Sequence, residues 1–335
     1  MSNLTQDKLL VAEHVTLEFK SQARLFEKKL PGVKAVNDVS FFVRKGETLG
    51  IVGESGCGKT TLGKCVTRLL MPNSGKLLYQ DEGEWKDLLH LNKADSFALR
   101  KKIQIVFQDP YASLNPVHTI LEAFDEPMRV HGIGGGDKNK RKEIIADLLR
   151  KVNLRPEYME RYPHEFSGGQ RQRICIAKAL ALQPDLIVCD EPVSALDVSI
   201  QAQLLNLMRK LQRELGLAYI FIAHDLSVVQ YMSDRIAVMY LGNIVELADS
   251  SEIYKNPLHP YTKALLSAVP IPVYKGKKDR IVLEGDVPSP MDPPTGCPFH
   301  TRCAHCMDIC KIEKPQLQAV EGGKHFIACH MVNPK

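Results

Sequence analysis

Short apolar runs alternate with amphipathic stretches along most of the chain. Residues 48–52, 186–189 and 219–223 are continuous apolar runs of strand length, as expected of strands that are buried on both faces. Residues 61–70 and 200–211 instead space their apolar side chains three and four positions apart, which predicts helices. Strands that alternate with helices are typical of a mostly parallel sheet covered by helices, so the pattern predicts an α/β fold.

A glycine-rich loop joins the first of these strands to the first helix. Its residues are Gly53, Glu54, Ser55, Gly56, Cys57, Gly58, Lys59 and Thr60, followed by Thr61. This order fits the phosphate-binding pattern G-x-x-x-x-G-K-[ST]. Glycines let backbone N–H groups turn toward phosphate oxygens, Lys59 supplies a positive charge for the phosphates, and Thr60 supplies a hydroxyl oxygen for Mg²⁺. The loop therefore predicts a nucleoside triphosphate site at a helix N-terminus, with Cys57 tolerated rather than catalytic.

Further polar motifs follow the loop in a definite order. They are Gln108 in the segment 106–110, the Phe-Ser-Gly-Gly-Gln segment 166–170, the acid pair Asp190-Glu191, the Ser-Ala-Leu-Asp segment 194–197, and His224. The acid pair ends a buried strand, and acids at the carboxyl edge of a sheet usually serve a site. His224 follows the next apolar strand, which places it at the same kind of edge.

Together and in this order, the motifs resemble those of ABC-type ATPases, and the resemblance covers essentially the whole chain. It implies an α/β fold with a RecA-like P-loop core, an antiparallel β layer and a helical subdomain, followed by a small irregular Cys-rich extension. The ABC ATPase domain is expected at residues 8–252, with the helical subdomain at about 116–178. ATP and Mg²⁺ are the ligands that the resemblance implies.

The resemblance also implies catalytic roles. Asp190 would hold Mg²⁺ together with Thr60 and Gln108. Glu191 would orient and polarise the attacking water, which requires it to lie within hydrogen-bond reach. Gln108 would sense the metal and the γ-phosphate, and His224 would contact the γ-phosphate.

Two further groups of residues are assigned by the resemblance. Phe19 lies where the family places an aromatic ring that stacks on adenine, although Phe26 is a nearby competitor. The signature residues Ser167, Gly168, Gly169 and Gln170 would cap the γ-phosphate of ATP that is bound by a partner chain. Each chain would then carry half of each of two composite sites, so function is expected to require a dimer.

The extension at residues 253–335 narrows the family. Its opening segment 256–268, together with the segment 108–116, resembles the ATP-binding subunits of oligopeptide/dipeptide importers. Segments 166–173 and 239–242 resemble the F-type member of the ATPase pair. The implied partners are a D-type ATPase subunit, two transmembrane permease subunits and, indirectly, a periplasmic or lipid-anchored substrate-binding protein.

Five cysteines lie close to the C-terminus, in a segment that is rich in proline. In a cytosolic chain such a group indicates a metal rather than disulfides, and four thiolates suit Zn²⁺ or an iron–sulfur cluster. The resemblance implies a [4Fe–4S] cluster held by Cys297, Cys303, Cys310 and Cys329, with Cys306 as an extra cysteine. We expect a structural role for it, in a module separate from the ATP site.

Composition and charge add limits. The 335 residues are 44% hydrophobic and 25% charged with a net charge of +5, as in ordinary soluble globular proteins. No run approaches the about 18 apolar residues that a transmembrane helix needs, and no apolar signal region begins the chain. The basic run 138–142 is interpreted as the solvated start of a helix, so no nucleic-acid partner is expected. The expected location is the cytoplasmic face of the inner or plasma membrane, through the permease subunits.

Two other classes of function are alternatives. A soluble ABC ATPase that acts on nucleic acid or the ribosome would carry a long coiled coil or a second cassette, and this chain shows neither. An iron–sulfur redox protein with an accessory nucleotide site would not need the full set of hydrolysis motifs. The predicted function is therefore ATP hydrolysis that powers the import of di- or oligopeptides, or of related small solutes. ATP-driven closure of the dimer would move the membrane subunits.

Overall fold

The computed structural model describes residues 5–20, 32–269, 281–320 and 322–332. Its strands are β1 (Lys8–Phe19), β2 (Val33–Arg44), β3 (Thr48–Val52), β4 (Ser74–Asp81), β5 (Glu84–Asp87), β6 (Ile103–Val106), β7 (Leu186–Asp190), β8 (Ala218–Ile222), β9 (Arg235–Tyr240), β10 (Asn243–Asp249), β11 (Gln318–Ala319) and β12 (Phe326–Ile327). Its α-helices are α1 (Lys59–Val66), α2 (Lys93–Lys102), α3 (Pro110–Ser113), α4 (Ile120–Val130), α5 (Lys138–Lys151), α6 (Gly168–Leu180), α7 (Val198–Leu215), α8 (Leu226–Met232), α9 (Ser250–Lys255), α10 (Pro260–Ser267) and α11 (Asp308–Ile312).

The chain divides into two compact units. The first takes in the described residues of Met1–Val43, Thr48–Leu89 and Ile222–Lys335, and the second those of Arg44–Glu47 and His90–Phe221. The first unit therefore holds the phosphate loop, His224 and the C-terminal extension. The second holds Gln108, the signature segment and the acid pair.

The first unit contains two sheets. One is a four-stranded sheet of order β2-β1-β4-β5, in which β4 pairs antiparallel with both β1 and β5. Alternate side chains of β2, including Val39, Phe41 and Val43, are buried, as expected of a strand with one face on a core. The other sheet runs in the order β11-β12-β10-β9-β3, with β3 parallel to β9 and fully buried.

The second unit is mostly helical. Its strands run in the order β8-β7-β6, and β6 pairs parallel with β7. Helices α4, α5 and α6 begin at side-chain caps: Thr119, Asp137 and Ser167 each accept a hydrogen bond from a backbone N–H of the first turn. Arg141 joins α5 to α4 through an ion pair with Asp125 at 2.6 Å. These three helices occupy the range predicted for the helical subdomain.

One predicted helix is shorter than expected. The apolar spacing of residues 61–70 predicted a helix to Leu70, but α1 ends at Val66, and Leu69 is 54% exposed. Arg68 adopts a left-handed conformation at φ 57°, and the N–H groups of Leu69 and Leu70 both donate to Lys64 O. The chain therefore turns out of the helix at Arg68, which the apolar spacing did not indicate.

The extension is attached to the rest of the first unit through Glu246 of β10. This side chain is fully buried and accepts hydrogen bonds from the N–H groups of Leu258 and His259, at 2.8 and 3.0 Å. His325 also lies within 2.7 Å of its carboxylate. Beyond α10, the described part of the extension contains only α11, one 3₁₀ turn and the short strands β11 and β12 as regular elements.

No helix in the described ranges combines the length and apolar character that a membrane span requires.

Candidate functional site

The phosphate loop connects β3 to α1 and depends on two glycines for its shape. Gly53 has φ 151°, and a Cβ there would lie 2.2 Å from Met239 O. Gly58 has φ 102°, and a Cβ there would lie 2.0 Å from Ala35 O. Any side chain at either position would clash with backbone atoms, so both residues must be glycine for the loop to keep this path.

Lys59 lies folded over the loop. Its side chain is buried, and Nζ donates to Gly53 O at 2.9 Å and to Glu54 O at 3.0 Å. Helix α1 begins at Gly58 without a side-chain cap and without an acidic residue in its first turn. The loop therefore presents a buried ammonium beside an uncapped helix N-terminus, an arrangement that suits a phosphate group.

Glu54 of the loop is held by the C-terminal extension. Its N–H donates to the hydroxyl of Tyr261 at 2.9 Å. Its carboxylate accepts two hydrogen bonds from Arg302, at 2.8 and 3.3 Å. Arg302 lies within the cysteine-rich segment, so the module that carries the cysteines touches the phosphate loop.

Cys57 is also part of the loop. It is 4% exposed, and burial raises the pKa of its thiol above the usual value. A thiol that is held protonated is a poor nucleophile. The absence of a catalytic role for Cys57 stays a prediction.

Three other predicted residues of the first unit lie on its elements or between them. Phe19 is the last residue of β1 and is 45% exposed, which leaves its ring accessible. His224 is exposed in the turn between β8 and α8, and Thr61 lies in the first turn of α1. The competing aromatic residue, Phe26, lies outside the described residues.

The second unit brings three polar residues together at the end of β7. Gln108 Nε2 donates to Glu191 Oε2 at 3.1 Å and to Ser194 Oγ at 3.3 Å. Ser194 Oγ in turn donates to Glu191 O at 3.1 Å. Asp190, the last residue of β7, is buried. The predicted general base and the predicted Mg²⁺-sensing glutamine are therefore direct neighbours.

The backbone at Glu191 has an unusual conformation. Its φ is 47°, in the left-handed region that non-glycine residues rarely adopt. Such strain persists where the surrounding structure imposes it, and it is concentrated at functional sites. The conformation turns the chain sharply directly after β7. Asp190 and Glu191 precede this turn and Ser194 follows it.

The signature segment forms the start of α6. Ser167 Oγ accepts from Gln170 N at 3.3 Å, and Gln170 Oε1 accepts from Ser167 N at 3.0 Å, which is a reciprocal capping box. The segment lines an open pocket of about 760 Å³ together with Arg173, Asp197 and Ile200. The open pocket leaves room for a ligand or a second chain to approach the segment.

The two signature glycines differ in how much space a side chain would have. A Cβ at Gly169 would lie 2.6 Å from Ile200 Cγ2, so packing against α7 already excludes a side chain there. A Cβ at Gly168 would meet nothing closer than Leu196 Cδ2 at 3.6 Å. Packing against α7 therefore explains why residue 169 is glycine. At Gly168 no such packing applies, and the close approach of a phosphate is the explanation that is left.

The cysteines of the extension lie near one another. Cys297 N donates to Cys310 O at 2.8 Å. Burial raises the pKa of the Cys297 thiol to about 12, and the charges of Cys310, Cys329 and Cys303 contribute in the same direction. Burial raises the pKa of the Cys303 thiol, and the charge of Cys306 contributes in the same direction. In the described ranges, no three His, Cys, Asp or Glu side chains are placed so that they could hold a single metal ion.

Comparison with known proteins identifies the family. The family described as ABC transporter matches residues 36–194, and the one described as oligopeptide/dipeptide transporter, C-terminal region, matches residues 245–310. The oligopeptide transport ATP-binding protein AppF of Bacillus subtilis (strain 168) is 51% identical over 334 residues, which cover 99% of each chain. The chain belongs to the ATP-binding proteins of oligopeptide-type ABC transporters. YkfD of the same organism is 53% identical to this ABC protein over 301 residues, covering 89% of this chain and 90% of YkfD.

Solved ABC structures share the fold. A dimeric post-hydrolysis state of the cassette MJ0796, bound to ADP and Pi, has a TM-score of 0.62 and 26% identity, and covers 72% of this chain and 99% of that one. CbiO1 from Clostridium perfringens has the same TM-score of 0.62 at 24% identity, covering 75% of this chain and 92% of its own. The predicted α/β fold of the ABC ATPase class is therefore confirmed.

Sequence reasoning missed several residues of this ABC protein that touch the site. Tyr261 and Arg302 contact Glu54, and Ser194 contacts Gln108. Ser194 was recognised as part of a motif but was given no role. Tyr261 and Arg302 had no motif to mark them, because a single tyrosine or arginine on a distant segment carries no local signal.

Proposed function

We propose that this ABC protein hydrolyses ATP to power the import of di- and oligopeptides, or of related small solutes, through an ABC transporter. One observation carries the proposal: Glu191 is held by Gln108 and Ser194 at the end of β7, in a chain with an intact phosphate loop. The name of AppF, which is 51% identical over nearly the whole chain, supports peptide transport as the process served.

The residues divide the chemistry between them. Lys59 compensates phosphate charge, and the uncapped N-terminus of α1 adds its dipole. Glu191 takes the proton of the attacking water, and Gln108 keeps the carboxylate in place. Gln108 and Asp190, and separately Thr60, would supply oxygen ligands to Mg²⁺, and the bound ion would neutralise charge on the phosphates. His224 would contact the γ-phosphate.

A dimer completes the site in this proposal. The signature residues Ser167 and Gly168 line an open pocket, and Gly168 has space for a close ligand. MJ0796, which shares the fold, has been solved as a dimer bound to ADP and Pi. We infer that the signature of one subunit covers the ATP of its partner, and that the partner is the D-type ATPase subunit.

Membrane proteins are the remaining partners. A transporter ATPase acts on permeases, and in the described residues this chain has no helix that could span a membrane. We infer two permease subunits as partners, and a substrate-binding protein that delivers the solute. The chain would then lie at the cytoplasmic face of the membrane.

In the nucleotide site of this proposal, Phe19 would stack on the adenine ring.

We infer a [4Fe–4S] cluster at the cysteine group, as the resemblance to the importer family implies, with zinc as the alternative. Cys297, Cys303, Cys310 and Cys329 supply four thiols, a donor set that suits either group. In the described ranges, no three of the possible donors are placed to hold one ion. The bound cluster would staple a segment with little regular structure.

Purification of the transporter tests the proposed function. An affinity tag on this chain, in detergent-solubilised membranes of its own host, should recover a second ATPase subunit and two permeases. Deletion of the gene should abolish uptake of labelled peptides, and the wild-type gene, but not the Glu191→Gln form, should restore it. Purification without any membrane protein, together with unchanged peptide uptake in the deletion strain, would overturn the proposal.

A further inference from the structure

Arg302 and Tyr261 of the extension hold both the side chain and the backbone of Glu54, inside the phosphate loop. Arg302 donates to both carboxylate oxygens of Glu54, at 2.8 and 3.3 Å, in the two-pronged geometry that makes such pairs strong. The Arg302 side chain is 8% exposed and that of Glu54 is 27% exposed. The Glu54 N–H donates to Tyr261. Solvent therefore screens this pair only weakly.

Glu54 lies inside the phosphate loop. Its carbonyl oxygen accepts from Lys59 Nζ at 3.0 Å, and Cys57 N donates to the same oxygen at 3.3 Å. The residue is thus built into the loop whose task is to bind the triphosphate. An uncompensated carboxylate at this position would repel phosphate, and the weak screening would make the repulsion strong.

We propose that Arg302 is a positioning residue for the nucleotide site, which neutralises Glu54 and holds the phosphate loop in the shape that accepts ATP. The inference rests on the proposed function, since it concerns the same ATP site. It makes the extension part of the ATPase: the segment that carries the cysteines also sets the affinity for the nucleotide.

The structure shows how the extension places Arg302. The residue ends a 3₁₀ turn, His300–Arg302, that directly precedes Cys303. Phe299, just before the turn, packs against Tyr240 and Tyr261 with ring centroids 5.2 and 5.4 Å apart. Order in the cysteine segment and in this aromatic cluster is therefore what keeps the guanidinium on Glu54.

Nucleotide titration of the full chain tests the proposal. With Mg²⁺ and a non-hydrolysable ATP analogue, Arg302→Met should bind about tenfold more weakly or worse, the usual worth of a charge-assisted pair. The double variant Glu54→Gln/Arg302→Met should recover to within about threefold of wild type, because the unpaired charge is gone. Lys311→Met is the matched control, since it removes a cation of the same segment that pairs with the exposed Asp308.

The outcomes separate the inference from its foundation. Unchanged affinity in Arg302→Met, or a double variant as weak as the single one, would overturn the positioning role. A wild-type chain that binds no nucleotide would overturn the proposed function instead. A merely structural role would leave the double variant at least as impaired as Arg302→Met, because both lack the same contact.

If Arg302→Met fails to fold, a measurement on the wild-type chain tests the proposal instead. Coupling between two sites is reciprocal. If the contact between Arg302 and Glu54 favours nucleotide binding, then bound nucleotide must also stabilise that contact. Amide hydrogen exchange of residues 297–306 should slow when the analogue is bound, and exchange of the exposed helix start at 138–140 should not. Equal exchange of residues 297–306 with and without the analogue would overturn the proposal.

Discussion

The amide of Gln108 donates to the carboxylate of Glu191 at 3.1 Å, which joins two residues that are 83 positions apart. Ser194 contacts both partners. The predicted general base is therefore oriented by a residue that is itself predicted to contact Mg²⁺.

The first prediction concerns Glu191 itself. Glu191→Gln should lower ATP turnover of the assembled transporter by at least about a hundredfold, the usual contribution of a general base. ATP affinity should persist, because the phosphate contacts remain. The measurements are phosphate release and nucleotide retention on the purified complex. Glu143→Gln, an exposed change on α5, is the control and should leave ATP turnover unchanged. Near-normal turnover in Glu191→Gln would contradict the role of general base given to Glu191.

Lys59→Ala should weaken nucleotide binding as well as turnover. The buried ammonium compensates phosphate charge in the ground state and in the transition state alike. The loss of affinity should be roughly ten- to a hundredfold, the range for a hydrogen bond to a charged group. Calorimetric titration with MgADP measures it, and Lys64→Ala on the same helix should bind normally. Tight binding by Lys59→Ala would contradict the role given to the lysine.

The purified chain alone should hydrolyse ATP slowly. In the composite-site proposal its signature serves another subunit, so addition of the D-type partner and the permeases should raise the rate. Ser167→Ala should remove that stimulation; it also removes a helix cap worth about 1 kcal/mol, so thermal unfolding must be measured in parallel. A rate for the dilute monomer that equals that of the complex, at every concentration, would argue against the shared site.

The cysteine group should hold iron. Anaerobically purified protein should be brown, with about four iron and four sulfide per chain. Replacing Cys297, Cys303, Cys310 or Cys329 by Ser should bleach it and expose residues after 285 to protease, whereas Cys306→Ser should keep the colour. By the inference above, the bleached variants should also bind ATP more weakly. Stoichiometric zinc without iron would support the zinc alternative.

A pH-dependent loosening of the extension follows from His259. Burial lowers the pKa of this histidine to about 4; Glu246 opposes the shift and Lys263 adds to it. Between about pH 6.5, the usual histidine value, and pH 4, the unfolded chain binds a proton that the folded chain does not. Stability is therefore complete above about pH 6.5 and declines as the pH falls, by up to about 1.4 kcal/mol per pH unit.

Protease cleavage of the extension between pH 7 and pH 5 measures this effect. His259→Asn keeps a side-chain acceptor for the Tyr261 N–H and removes the titration, so its profile should be flatter over this range. Glu246 acts at lower pH: burial opposes its charge, but the hydrogen bonds from His325 and from the N–H groups of Leu258 and His259 outweigh burial and lower its pKa. Its contribution is lost only as the pH falls below about 4.5. An identical slope in His259→Asn would refute the assignment to His259.

Local pattern was enough for the elements and the motifs of this protein. The apolar run 48–52 became β3 without change, and the predicted signature residues lie at the start of α6, with Ser167 as its N-cap. These features are encoded within a few neighbouring residues, where periodicity, capping and glycine placement act. The end of α1 at Val66 is the exception, because the turn at Arg68 overrides an apolar spacing that would have continued the helix.

Only the tertiary structure decided which distant residues act together. Arg302 pairs with Glu54 across 248 positions, and Glu246 gathers the N–H groups of Leu258 and His259 with the ring of His325. No periodicity or spacing encodes such pairs, because they depend on how separately formed elements pack. The sequence therefore determined the kind of chemistry that this protein performs. The packing of the extension determined that the phosphate loop is held from outside its own motif, by Tyr261 and Arg302.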